Sequence, residues 1–220
     1  MATEQTKKKI VEAFLELLET HDFASVRLDQ IAAKAGVTLG TIRESYDGKL
    51  SILADFVRRT DRTVLDAEGG KIEGETARDR LFELVMRRLD TVAPHKAALV
   101  SLERSARRDR ALALCLNRIA LDSARFMLAG AGVGTGGWRG AARAQGFVLL
   151  TLRVLAVWKD DNEPDLSKTM SKLDHELDRA EGLERRADRL IGAACKVARK
   201  FERRRPHRRH RDETAEAPAS

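Results

Sequence analysis

Two short helical segments joined by a glycine-containing turn constrain the fold of this chain most strongly. Residues 28–34 (LDQIAAK) are predicted to be helical, and Ala35-Gly36-Val37 ends the helix because Gly36 readily adopts the left-handed conformation. Thr38 is then well placed to cap a third short helix that runs to about Ser45. With an amphipathic helix predicted over residues 6–20, these segments form a helix-turn-helix unit.

The rest of the sequence predicts further helices. Apolar residues recur at helical spacing, prolines number four among 220 residues, and no alternating stretch is long enough for a strand. We therefore predict an all-α fold of about nine helices. Its parts are a three-helix head (residues 1–48), a helical ligand-binding and dimerisation body (residues 49–202) and a disordered Arg-rich tail (residues 203–220).

Positive charge is concentrated near the C-terminus. The net charge is +7, yet residues 1–60 hold nine Lys/Arg and nine Asp/Glu, whereas residues 196–211 hold nine Lys/Arg and one acid. Net charge by itself is therefore no argument for a DNA-binding head. The tail is a candidate for non-specific attraction to nucleic acid or to an anionic membrane.

The sequence offers no arrangement typical of catalysis, a cofactor or a metal site. Cys115 and Cys195 lack nearby Cys or His and are expected to be buried and reduced, while His207 and His210 are expected to be solvated. Residues 132–137 (GVGTGG) satisfy a dinucleotide-binding pattern by letter, but a predicted helix precedes them where that site needs a strand. We interpret them as an interhelical loop.

No membrane segment is expected from the sequence. The N-terminus lacks an apolar signal-peptide stretch, and the longest apolar run, residues 146–158, is short for a membrane span and contains Arg153. The prediction is a cytoplasmic protein without stable membrane insertion.

The segment DQIAAKAGVTLGTIRESYDGKLSIL resembles the helix-turn-helix of TetR-family transcriptional regulators. The matching positions are Ile31-Ala32, Ala35-Gly36-Val37-Thr38, Gly40, Tyr46 and Lys49. Arg43 stands where the family usually has Tyr, and Arg27 stands where it usually has Ser or Thr. The resemblance implies binding to a double-stranded DNA operator, with Lys49 on a phosphate. The implied DNA-binding residues are Arg27, Thr38, Leu39, Gly40, Thr41, Arg43, Tyr46 and Lys49.

The body is rich in large apolar residues at helical spacing. Such residues are ordinarily core, but together they could enclose a pocket for a small apolar ligand or lipid. The helix predicted over residues 138–158 is apolar on nearly every side, which favours a homodimer formed through the last two long helices. The candidate pocket residues are Phe82, Met86, Leu116, Phe126, Phe147 and Leu150.

A second resemblance lies in residues 131–181. A glycine-rich break, an apolar helix ending in Trp-x-Asp, and a final helix make this segment similar to the lipid-binding accessory protein of ubiquinone biosynthesis, which shares the TetR fold. Two hypotheses follow. The first is a ligand-responsive repressor that binds a palindromic operator as a homodimer. The alternative is a lipid-binding accessory protein of quinone or lipid metabolism with a vestigial DNA-binding head.

Overall fold

The computed structural model describes residues 3–67 and 72–202, with the side chains of the last helix described through residue 187 and at Arg189. Within these ranges the chain forms nine α-helices and no strand, which confirms the all-α prediction. A 3₁₀ turn, Ala93–His95, joins the fifth helix to the sixth. The helices are α1 Glu4–Thr20, α2 Leu28–Ala35, α3 Leu39–Ser45, α4 Lys49–Asp66, α5 Ala77–Val92, α6 Lys96–Arg108, α7 Arg110–Gly130, α8 Gly137–Trp158 and α9 Ser167–Glu202.

The chain divides into two compact units, Met1–Leu177 and Asp178–Ser220. The first contains α1 to α8 and the start of α9, and the second contains the remainder of α9. The predicted domain boundaries at residues 48 and 202 remain predictions. The predicted disordered tail, with His207 and His210, lies outside the described residues.

The first three helices form the helix-turn-helix expected from the sequence. Gly36 has φ +66°, in the left-handed region, and the Val37 amide closes the turn on the Ala32 carbonyl at 3.0 Å. Thr38 caps α3, because its hydroxyl accepts a hydrogen bond from the Thr41 amide at 3.1 Å. Ile42 of α3 is buried, so this helix is anchored by one face and exposed on the other.

The helices that follow build the core of the first unit. The N-terminal α1 packs on α6, α4 packs on α5 and α7, and α7 packs on α8. By length and composition alone α8 is apolar enough to cross a membrane, a test that core helices of soluble proteins also pass. Its Val148, Val154 and Trp158 side chains are buried among the other helices of the unit.

Candidate nucleic-acid interface

The exposed face of α3 carries most of the residues that the resemblance assigns to DNA. Thr38, Leu39, Gly40 and Arg43 are exposed and Thr41 is half-exposed, while Ile42 faces the core. A helix of this kind can present side chains to base edges in the major groove. The structure thus places these five residues on one accessible surface, which we call the α3 face.

Gly40 has no role in the fold that would require glycine. A Cβ built at this position would meet the Thr38 hydroxyl oxygen at 3.6 Å, an ordinary contact. Glycine is less favourable than alanine by about 1 kcal/mol in a helix interior, which is the upper limit for Gly40 at the second position of α3. The absent side chain therefore lowers helix stability and keeps the α3 face open to close approach.

The two arginines of the candidate interface are paired with acids on the surface. Arg43 Nη1 lies 2.7 Å from Asp47 Oδ1, and Arg27 donates through Nε and Nη2 to Asp29 at 2.9 and 2.6 Å. The Arg27 hydrogen bond lowers the pKa of Asp29 to about 2. Exposed pairs of this kind contribute little stability, so either guanidinium can exchange its partner for a phosphate or a base.

Tyr46 lies in the core of the head instead of on the DNA side. Its side chain is buried, and its hydroxyl donates to Asp55 Oδ2 at 2.7 Å. Burial and the Asp55 carboxylate both raise the pKa of Tyr46. In the structure the Tyr46 hydroxyl thus joins the end of α3 to α4, and the implied DNA contact stays a prediction.

Lys49 also has a structural role that the sequence comparison misses. Its Nζ donates to the carbonyls of Phe23 at 2.6 Å and Val26 at 2.7 Å, and it lies 4.5 Å from the centre of the Phe23 ring. Burial lowers the pKa of Lys49. The implied phosphate contact stays a prediction; in the structure the Lys49 ammonium donates to the loop between α1 and α2 (residues 21–27, the α1–α2 loop).

Two serines of α6 hold the same loop from the body. Ser101 Oγ donates to the His21 carbonyl at 3.0 Å, and the Phe23 amide donates to Ser105 Oγ at 3.0 Å. Both serines are buried. Sequence reasoning missed them, although two small polar residues one helical turn apart on a buried face were a usable signal.

The six predicted pocket residues do not together line any one of three cavities in the described part of the chain, and their assignment to a ligand pocket stays a prediction. Phe126 is 64% exposed beside a depression of about 550 Å³, Leu116 lines a cavity of about 330 Å³, and Phe147 lines one of about 130 Å³. Phe82, Met86 and Leu150 lie outside these three. Helical spacing located apolar residues but did not show which helix face each one occupies.

The 330 Å³ cavity, which we call the α6–α8 cavity, lies between α6, α7 and α8. Leu99, Leu102 and Glu103 of α6 contribute to its wall, as does Lys159 after α8. Neighbouring positions of the same helix, Ser101 and Ser105, hold the α1–α2 loop. One helix therefore contacts both the cavity and the head.

Two curated proteins are similar to part of this chain, while no protein-family model matches it. The HTH-type transcriptional regulator SrpR of Pseudomonas putida is 42% identical over 50 residues, 23% of this chain and 24% of that protein. The uncharacterized HTH-type transcriptional regulator TtgW, also of Pseudomonas putida, is 41% identical over 49 residues, 22% of this chain and 37% of that protein. The chain thus spans well under half the length of either relative.

Solved structures match over far more of the chain. A TetR transcriptional regulator from Nitrosomonas europaea ATCC 19718 superposes with a TM-score of 0.63 at 20% identity, covering 81% of this chain and 99% of that one. A TetR transcriptional regulator from Rhodococcus sp. RHA1 gives 0.56 at 18% identity, covering 80% and 96%. The chain has the fold of TetR transcriptional regulators.

The TetR fold places the helix-turn-helix in α2 and α3 of this chain. Within the described residues no three His, Cys, Asp or Glu side chains are arranged to hold a metal ion. Cys115 is exposed on α7, which corrects the expectation that it is buried, and the Cys195 side chain lies outside the described residues.

Proposed function

We propose that the protein is a ligand-responsive, DNA-binding transcriptional repressor that acts in the cytoplasm as a homodimer on a palindromic operator. The proposal rests on the α3 face, whose exposed residues form hydrogen bonds or ion pairs only with residues in or next to α3, as far as the structure describes them. Thr38 and Thr41 supply hydroxyls, Arg43 supplies a guanidinium, and Gly40 leaves room for the DNA backbone or a base edge. The TetR fold and the two similar HTH-type regulators support it.

To bind DNA, the two exposed arginines of the head have to give up the acids with which they are paired. Arg27 and Arg43 are each paired with a neighbouring acid, and Glu44 is exposed on α3 itself. A phosphate or a base edge therefore has to replace Asp29 as the partner of Arg27, and Asp47 as the partner of Arg43. We expect moderate affinity with a clear dependence on salt, because each released counterion contributes to binding.

An exposed stripe on α8 supports the homodimer. Ala142, Gly146, Leu149 and Ala156 are exposed at helical spacing, and small residues allow two helices to approach closely. Arg153 is exposed on the same face and pairs with Glu176 at 3.0 Å. A twofold contact through this stripe would pair two heads for the two halves of a palindrome. Analytical ultracentrifugation tests this contact: Leu149→Glu is expected to give a monomer, whereas a Leu149→Glu dimer of unchanged affinity would exclude the stripe.

The ligand response is proposed to pass through α6. A molecule in the α6–α8 cavity would contact Leu99 and Leu102 and thereby shift the helix that holds the α1–α2 loop through Ser101 and Ser105. A ligand that favours one position of α6 would change the spacing of the two heads, and with it the affinity for the operator.

DNA binding is tested with the purified protein and a duplex from upstream of its own gene. Fluorescence anisotropy over a salt series is expected to show binding that weakens as salt rises, with a scrambled duplex as control. Absent binding at low salt, or binding that salt does not affect, would contradict the proposal. Lipid extraction of the same preparation tests the alternative, since a co-purifying isoprenoid lipid without operator binding would favour the lipid-binding accessory protein.

A further inference from the structure

We propose that the α6–α8 cavity binds an amphipathic monocarboxylate, with the apolar part inside the cavity and the carboxylate on Lys159. The inference deepens the proposed function and rests on it for the consequence at the operator. Binding itself can be measured without DNA.

The size and wall of the cavity fit a short apolar chain or a small ring. Its volume is about 330 Å³. This volume is at the lower end of the range of small-molecule pockets, about 300–1,000 Å³. Apolar side chains from three helices form most of the wall, among them Leu99, Leu102, Leu116, Val148, Leu155 and Trp158.

The charged groups at the wall and directly behind it carry two positive charges and one negative charge: Lys159 and Glu103 line the cavity, and Arg107 pairs with Glu103 from outside the wall. Glu103 Oε1 accepts from Arg107 Nε at 3.2 Å and Nη2 at 2.6 Å, whereas Lys159 Nζ lies 3.4 Å from Glu103 Oε2. Two cations therefore share one carboxylate, and Lys159 is the more weakly held of the two.

This arrangement favours an anion over a cation. A ligand carboxylate can take Lys159 while Arg107 keeps Glu103 paired, so no charge is left without a partner. Although burial acts to raise the pKa of Glu103, Arg107 and Lys159 lower it overall, so Glu103 is ionised at neutral pH. A ligand cation would have to compete with Arg107 and Lys159 for the same carboxylate.

The cavity wall offers fewer hydrogen-bonding groups to a neutral polar ligand than to a carboxylate. Asn117, which also lines the cavity, exchanges two hydrogen bonds with Gln145, each at 3.1 Å. Its amide is therefore already satisfied within the protein. Lys159 remains the side chain of the wall whose partner is most easily replaced.

The test uses Trp158 as an internal reporter of the cavity. The chain has two tryptophans, and Trp138→Phe removes the exposed one, which leaves Trp158 in the wall. Titrations with octanoate, 1-octanol and octylamine compare one apolar chain with three head groups. Octanoate is expected to change the Trp158 emission and to bind at least about tenfold more tightly than octanol, with octylamine the weakest.

Lys159→Met in the Trp138→Phe background removes the ammonium group of Lys159 and keeps an apolar side chain of similar length. It is expected to reduce octanoate affinity to that of octanol and to leave octanol affinity unchanged, with thermal unfolding as a check that the variant folds. Lys168→Met is the control, because Lys168 pairs with Glu163 away from the cavity wall.

Three results would overturn the inference: equal affinities for octanoate and octanol, preference for octylamine, or octanoate binding that Lys159→Met leaves unchanged. Failure of all three probes to bind would overturn it as well. A protein that binds octanoate through Lys159 but binds no DNA would contradict the proposed repressor and leave this site standing. If both proposals hold, saturating octanoate is expected to change operator affinity in the unmodified protein.

Discussion

Two neighbouring parts of the head use polar residues for opposite purposes. In the α1–α2 loop, backbone groups of His21, Phe23 and Val26 are held by Lys49 from one side and by the α6 serines from the other. On the α3 face, Thr38 and Arg43 have local partners and Gly40 fills no space that the fold requires. The fold accounts for the first set of residues, and the proposed recognition of DNA would account for the second.

This contrast separates residues that the same sequence motif joins. Lys49 and Gly40 both match the helix-turn-helix pattern, yet Lys49 holds the α1–α2 loop and Gly40 lies open on α3. Substitutions should therefore divide into those that lower stability and those that lower DNA affinity while leaving stability intact. The following experiments test that division.

Lys49→Met is expected to have the largest effect on folding. It removes the ammonium from the Phe23 and Val26 carbonyls and leaves partly buried acceptors without that donor, which should lower the free energy of unfolding by about 2–4 kcal/mol. Urea unfolding measures the change. Lys34→Met, which breaks a surface pair with Glu16, is the control and should change it by less than about 0.5 kcal/mol. Similar changes in unfolding free energy for both variants would show that Lys49 does not stabilise the fold through the α1–α2 loop.

The double variant Ser101→Ala/Ser105→Ala is expected to cost about 2 kcal/mol, since two buried hydrogen bonds to the α1–α2 loop are lost. Denaturant unfolding measures this cost, with Thr63→Ala on exposed α4 surface as the control. If α6 carries the ligand response, the double variant should still bind octanoate, but octanoate should change its operator affinity less than it changes that of the wild type. If octanoate changes the operator affinity of the double variant as much as that of the wild type, these serines do not couple the cavity to the head.

Gly40→Ala is expected to weaken operator binding about tenfold, or about 1.4 kcal/mol, because a methyl group enters the α3 face. Its unfolding free energy should stay equal or rise by up to about 1 kcal/mol, as alanine favours a helix. Gly182→Ala is the matched control, since no atom lies within 4 Å of its added Cβ. Anisotropy and urea unfolding on the same samples distinguish lost recognition from lost folding.

Tyr46→Phe should lower the unfolding free energy by about 1 kcal/mol at pH 7 by removing the hydrogen bond to Asp55. Although burial acts to raise it, the pKa of Asp55 is lowered overall by Tyr46 and Arg59. The stabilisation from ionised Asp55 is therefore present above about pH 4 and is lost as pH falls through its folded pKa. Unfolding at pH 7 and at pH 3 should show the difference between wild type and variant shrinking in acid. A constant difference would assign the effect to packing.

Much of the fold was predictable because its signals are local. Thr38 and Gly36 set the ends of α3 and α2, and apolar spacing located the other helices within a few residues. The roles of Lys49 and Tyr46 were not predictable, since their partners lie at Phe23, Val26 and Asp55, far from the turn along the chain. The sequence did not predict the walls of the cavities for a related reason: the spacing of apolar residues does not determine which helix packs against which face.

Arg43→Ala tests directly whether the α3 face binds DNA, because Arg43 is exposed on α3 and its only described salt bridge is to Asp47 on the surface. Operator affinity across a salt series and unfolding free energy are measured on one preparation. We expect unfolding to change by less than about 0.5 kcal/mol while operator affinity falls about tenfold, with a shallower salt slope if Arg43 contacts a phosphate. Operator affinity equal to that of the wild type at every salt concentration would contradict DNA binding through the α3 face.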